Sequence, residues 1–398
     1  MAGIQDIEAA LRGVLDPELG VNVVELGMVR DITLEGGVAT VHIALTIAAC
    51  PLRDQIEQDV IRKVRALPGV DEVRVQVSAM TERQRSELMS VARRNAREKA
   101  APTMVNPLTR VIAVGSGKGG VGKSSLSVNL AAAVAAAGHR VGLLDADIWG
   151  FSVPRMLGAT GARLEAGDDR KIIPFEADGI QVVSTGLLVD DEQTALMWRG
   201  LMLSKALEQF LHDVAWDPAL DYLFIDMPPG TGDIQMALSR LLPQAEMVVV
   251  TTPQQAAQKV AARVADMARR SFVPVVGVVE NMSGFTAPDG THHDLFGRGG
   301  GEALAAHLGV PLIARVPLDP YVAEAGDGGV PVVRSHPDAP SALAMAEAAA
   351  RIVELVPPAA DETCTARISV LIEQLERSGE TAASRPNGRA SPSTGTGW

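Results

Sequence analysis

The sequence predicts an α/β protein: a mostly parallel sheet covered by helices, preceded by a small α+β domain. Three observations carry that prediction. Over residues 110–358, short runs of Val, Ile and Leu alternate with helical stretches, the pattern of a parallel sheet buried on both faces. Within it, the β-branched run 111–116, a glycine-rich loop and the Ala- and Leu-rich stretch 125–137 read as strand, loop and helix. In residues 1–80, two alternating segments flank Glu35-Gly36-Gly37, and a helical segment and a third strand follow.

The small domain divides further. Residues 4–14 are helical in pattern, and 28–34 and 38–47 are the hairpin strands. Pro51 opens a helix with Ile56, Val60, Ile61 and Val64 on its apolar side, and 70–77 is the last strand. Residues 81–109 form a helical linker. Its Arg83, Arg85, Arg93, Arg94, Arg97 and Lys99 fit a solvated helix better than a nucleic-acid surface. Ala101-Pro102-Thr103 to Pro107 reads as a hinge.

In the large domain, strands are expected at 111–116, 141–145, 222–226, 247–251, 275–279 and 312–316, with helices at 195–211, 234–242, 254–270 and 302–308. Ligands of such sheets gather at the C-terminal strand ends. Residues 359–398 hold one short helix, 366–377, and a Ser/Pro/Gly/Thr tail expected to be disordered.

The chain has 398 residues, of which 47% are hydrophobic but only 3% aromatic, so aliphatic side chains must fill the core. A net charge of −12 opposes non-specific binding to nucleic acid. No 18-residue apolar run exists, and the opening residues lack a basic segment before an apolar core. No membrane partner and a cytoplasmic location are expected. Two cysteines, Cys50 and Cys364, cannot build a disulfide framework.

Gly117-Lys118-Gly119-Gly120-Val121-Gly122-Lys123-Ser124 completes the pattern G-x-x-x-x-G-K-[ST] between a strand and a helix, the context that marks a phosphate-binding loop. Backbone N–H groups of the loop, with Ser125 opening the helix, would surround phosphate oxygens. Lys123 would reach the β- and γ-phosphates, and Ser124 would hold Mg²⁺. ATP and Mg²⁺ are therefore the expected ligands.

The second lysine, Lys118, has no role in an ordinary loop of this kind. G-K-G-G-V-G-K-S resembles the deviant Walker A of the SIMIBI ATPases, in which that lysine reaches the phosphates bound by a partner subunit. The resemblance implies a homodimer and a catalytic role for Lys118 beside Lys123. It extends through Asp145-Ala146-Asp147, Asp226-Met227-Pro228-Pro229-Gly230-Thr231-Gly232-Asp233, Glu280-Asn281-Met282-Ser283 and Phe296 to Gly300. That series is similar to the Mrp/ApbC iron–sulfur carriers. It implies that Asp147 orients the attacking water, that Asp226 holds Mg²⁺, that Gly230 offers its N–H to the γ-phosphate, and that Asn281 and the Pro317 loop meet adenine. It also implies delivery of iron–sulfur clusters to apoproteins.

Asp16-Pro17-Glu18, Glu25-Leu26-Gly27-Met28-Val29 and 46–51 resemble the small iron–sulfur assembly domain. Cys50, between a strand and a helix start, is a candidate cluster ligand or an inert buried thiol. The family's C-x-x-C would fall near Ala287 and Gly290, neither of which can ligate iron. His292 and His293 follow in the same loop. A cluster-free regulatory switch like MinD or ParA is thus the alternative, while a metabolic kinase would need a substrate-binding insertion that is not recognisable.

Overall fold

The computed structural model describes residues 2–17, 19, 21–46, 53–99, 102–147, 150, 152–167, 170–187, 200–230, 233–271 and 273–359. The first unit contains α1 (Ile4–Leu11), β1 (Val29–Glu35), β2 (Val38–Leu45), α2 (Arg53–Arg65), β3 (Glu72–Ala79) and α3 (Glu82–Lys99). β1 and β2 pair antiparallel about the glycine turn, and β3 joins β2 in parallel. Alternation along β2 sends Val41, Ile43 and Leu45 inward against Ile7, Leu11, Ile56, Val60 and Val64.

The basic helix α3 departs from the solvated linker expected. Leu88 and Ala92, one turn apart, are buried in the same apolar cluster as β2 and α2. The side chain of Asn95 donates to Glu25 at 3.1 Å. The arginines hid a one-sided apolar stripe.

The second unit runs β4 (Arg110–Ser116), α4 (Lys123–Ala136), β5 (Val141–Asp145), α5 (Val153–Met156), a short hairpin of β6 (Glu165–Ala166) and β7 (Ile172–Ile173), then β8 (Phe175–Ala177) and β9 (Ile180–Ser184). α6 (Gly200–His212), β10 (Tyr222–Asp226), α7 (Asp233–Leu241), β11 (Glu246–Thr251), α8 (Gln255–Arg270) and β12 (Val275–Asn281) follow. Last come β13 (Phe285–Thr286), β14 (His292–His293), α9 (Gly300–Leu308), β15 (Leu312–Val316), α10 (Pro320–Gly328), α11 (Val332–Ser335) and α12 (Pro340–Leu355).

The sheet order is β15-β12-β11-β4-β10-β5-β9-β8. All neighbours are parallel except β8, which runs antiparallel along the β9 edge. The two-residue period divides the side chains between two cores. Leu223 and Ile225 face the core with α6, α7 and α8, whereas Tyr222 and Phe224 face the core with α4 and α12. β4 lies centrally between β11 and β10, so the loop after it emerges at the middle of the C-terminal edge.

Helix boundaries refine the sequence reading by a few residues. The expected 195–211 helix is described from Gly200, and its earlier residues lie outside the described set. So do Cys50, Cys364 and the 366–377 segment.

Candidate active site

α4 begins at Lys123 because Gly122 turns the chain with φ 78°, a conformation strained for other residues. Gly117 is needed for a different reason. A Cβ there would stand 2.4 Å from the backbone carbon of Val260 in α8, so the loop's first turn packs directly on that helix.

Strand alternation brings the acidic residues under α4. Asp145 and Asp226 sit side by side in register at the ends of β5 and β10, on the face that α4 covers. Lys123 Nζ donates to Asp226 Oδ1 at 2.7 Å, and both side chains are buried, at 6% and 1% exposure. The Ser124 hydroxyl donates to Asp226 Oδ2 at 2.6 Å, and that of Ser127 to Oδ1 at 2.7 Å. Ser127 carries no motif signal beyond its position one turn after the loop.

Asp145 accepts from Ser184 Oγ at 3.0 Å and from the Asp147 N–H at 3.1 Å. Burial, and then the neighbouring Asp226 carboxylate, push its pKa up to about 8. Asp145 is wholly buried, with both carboxyl oxygens bonded inside the protein. Asp147 instead lines a cleft of about 250 Å³ that also contains Lys118, Lys123, Ser124, Ser125 and Pro229.

Three of the groups expected to meet a ligand have partners within the chain. The Gly230 N–H donates to the Ser116 carbonyl at 2.9 Å, so it meets a phosphate only by giving up that bond. Asn281 turns its amide toward the loop, donating to the Val121 carbonyl at 2.9 Å. Lys118 Nζ donates to the Gln254 side chain at 3.1 Å, a partner that no sequence pattern connects to it. Pro317 follows Val316, which pairs with Asn281 where β12 and β15 end together. Met282, at φ 56°, then turns the chain into the β13–β14 hairpin, whose root is held by Ser283 N to Val316 O and Leu318 N to Gly284 O.

Ala287 and Gly290 form the tip of that hairpin, joined by Gly290 N to Ala287 O at 2.9 Å. His292 Nδ1 lies 3.3 Å from Thr286 Oγ1 and its Nε2 3.4 Å from Asp294. Among the described residues, no three His, Cys, Asp or Glu side chains gather as a metal site, and no helix is long and apolar enough to cross a membrane.

The hard oxygen donors Ser124 and Asp226, within hydrogen-bonding distance of each other beside Lys123, suit Mg²⁺ completed by water and phosphate. The sequence model of the ParA group described as NUBPL iron-transfer P-loop NTPase matches residues 107–353, well over half of the chain. The chain belongs to this family. The matched span contains the glycine loop, Lys123 and the strand-end Asp226 that the geometry brings together.

A second family model, iron–sulfur cluster assembly protein, matches residues 4–77. A Mycobacterium tuberculosis protein named iron-sulfur cluster carrier protein is 47% identical over 352 residues, 85% of this chain and 91% of its own length. One of the same name from Synechocystis is 44% identical over 355 residues, 88% and 97% of the two chains. A solved nucleotide-binding protein from Archaeoglobus fulgidus, in complex with ADP and with Co, is 35% identical. It covers 57% of this chain and 89% of its own, with a TM-score of 0.50.

Proposed function

We propose that this P-loop NTPase binds ATP with Mg²⁺, hydrolyses it as a homodimer in the cytoplasm, and carries iron–sulfur clusters to apoproteins. The observation that carries the nucleotide part is the convergence of Lys123, Ser124 and Ser127 on the buried Asp226. The names of relatives that align over most of the chain support the cargo.

In this reading the loop N–H groups from Gly119 to Ser125 hold the phosphates, and Lys123 leaves Asp226 for the β- and γ-oxygens. Ser124 and Asp226 would hold Mg²⁺, which would supply positive charge against the phosphate oxygens. Asp147 orients the attacking water and takes its proton. Gly230 exchanges the Ser116 carbonyl for the γ-phosphate, which ties the 226–233 loop to the nucleotide. Lys118 acts on the phosphates of a second copy, so hydrolysis depends on pairing.

Cluster cargo needs thiolate or imidazole ligands. Cys50 is the candidate in the small domain, and binding through it would be labile, since one thiol from each subunit is fewer than the usual four. A second reading, the cluster-free switch, is favoured by Ala287 and Gly290 at the hairpin tip. Anaerobic reconstitution with iron and sulfide, followed by iron counting and visible spectra for the parent and Cys50→Ser, separates them. Bound iron lost in the variant supports carriage through Cys50. A stoichiometric cluster in Cys50→Ser moves the ligands elsewhere, and no cluster in either protein leaves the switch.

A further inference from the structure

The turn before α8 holds a side chain that the nucleotide reading does not use. Gln254 is the N-cap residue of α8, a position favoured by Ser, Thr, Asp and Asn because their short side chains cap the helix. Its side chain caps nothing in its own helix. It reaches instead to Lys118 Nζ, 136 positions earlier in the chain, at 3.1 Å.

Both ends of this contact are anchored. The Ser116 hydroxyl donates to the Lys118 carbonyl at 3.1 Å, and Gly117 packs on the α8 backbone, which fixes the loop against the helix that Gln254 begins. No carboxylate among the described residues lies within ion-pair distance of Lys118. The ammonium is therefore held by a neutral acceptor, a weaker hold than a carboxylate or phosphate would give.

We propose that Gln254 is the positioning residue for Lys118. Its amide oxygen parks the ammonium within its own subunit and yields it when a second copy presents a bound nucleotide phosphate. A neutral amide suits this task, since it orders the long side chain yet loses to a phosphate. The inference rests on the reading that Lys118 acts across a pair of subunits.

The test measures ATP turnover against protein concentration, with affinity for a fluorescent ATP analogue, in the parent, Gln254→Glu, Gln254→Ala, Lys118→Ala and Lys118→Ala/Gln254→Glu. A carboxylate at 254 holds the ammonium, so Gln254→Glu is expected to slow turnover about tenfold where the parent pairs, with nucleotide affinity unchanged. Gln254→Ala is expected to reach half-maximal turnover at lower protein concentration. The slowing by Gln254→Glu vanishes when Lys118 is absent. Parent-like turnover in Gln254→Glu while Lys118→Ala is slow overturns the parking role and leaves the paired mechanism standing. Equal slowing by Gln254→Glu with and without Lys118 also overturns it. Parent-like turnover in Lys118→Ala removes both.

Discussion

Asn281 Nδ2 donates to the carbonyl of Val121 at 2.9 Å, joining the end of β12 to the middle of the phosphate loop. The contact is close enough that a Cβ on Gly122 would stand 2.2 Å from that nitrogen. A side chain that only read the base would affect ATP alone. One that braces the loop affects every nucleotide. Asn281→Ala is therefore expected to weaken ATP and GTP alike, by up to about tenfold for one lost buried hydrogen bond. Titration with both nucleotides checks this, and loss confined to ATP would return Asn281 to base recognition alone.

Lys123→Ala leaves the Asp226 carboxylate buried with only hydroxyl donors. Removing one member of a buried ion pair costs about 3–5 kcal/mol. The variant is expected to melt earlier and to bind no fluorescent ATP analogue. Parent-like binding would contradict the assignment of the loop.

Asp147→Asn keeps the shape of the cleft but removes the group that accepts a proton. Turnover is expected to fall by about 10²–10⁴, with nucleotide affinity preserved. Single-turnover kinetics beside equilibrium binding read the two quantities separately, and an unchanged rate would take Asp147 out of the mechanism.

Asp145 gives the fold a pH dependence of definite sign. Its folded pKa, about 8, lies above the ordinary 3.8, so the fold favours the protonated carboxyl. Its contribution to stability is greatest below about pH 4, falls as the pH rises, and is fully lost above pH 8. Asp145→Asn cannot ionise and should lose less thermal stability between pH 5 and pH 8 than the parent. Parallel melting-temperature profiles would rule out this carboxyl as the source.

Leu88 belongs to α3 by sequence but to the core of the first unit by packing. Leu88→Ala is expected to destabilise that unit by about 2–5 kcal/mol, the range for a truncated core leucine. Hydrogen exchange of β2 and α2 amides reads the effect, and unchanged protection would mean that the helix is carried passively.

What could be read from sequence follows from how local each signal is. Strands β5, β10 and β15 have the limits their apolar runs indicate, because buried parallel strands are compact stretches with sharp ends. β9, only five residues from Ile180 to Ser184 in a turn-rich region, offered no comparable contrast. The helices after β15 also escaped: α10 and α11 are short, and the regular inward stripe of α12 is built mostly of Ala and Ser rather than long aliphatic side chains. In the site, Lys123, Ser124 and Asp226 follow from local motifs at one loop and one strand end, whereas Asp147 follows from the family resemblance. Ser184 and Gln254 act on Asp145 and Lys118 through the sheet's strand order, which nothing in a linear pattern reports.

The hairpin tip sets a limit on engineering. Gly290 has φ 85°, a left-handed conformation that costs a cysteine about 1–2 kcal/mol, although no atom crowds the space a side chain would fill. The obstacle to grafting a thiol pair onto positions 287 and 290 is therefore the path of the main chain. A graft that restored only the side chains would present its sulfurs from a turn built for glycine, and relieving that strain calls for a change of main-chain path at position 290 rather than for more space.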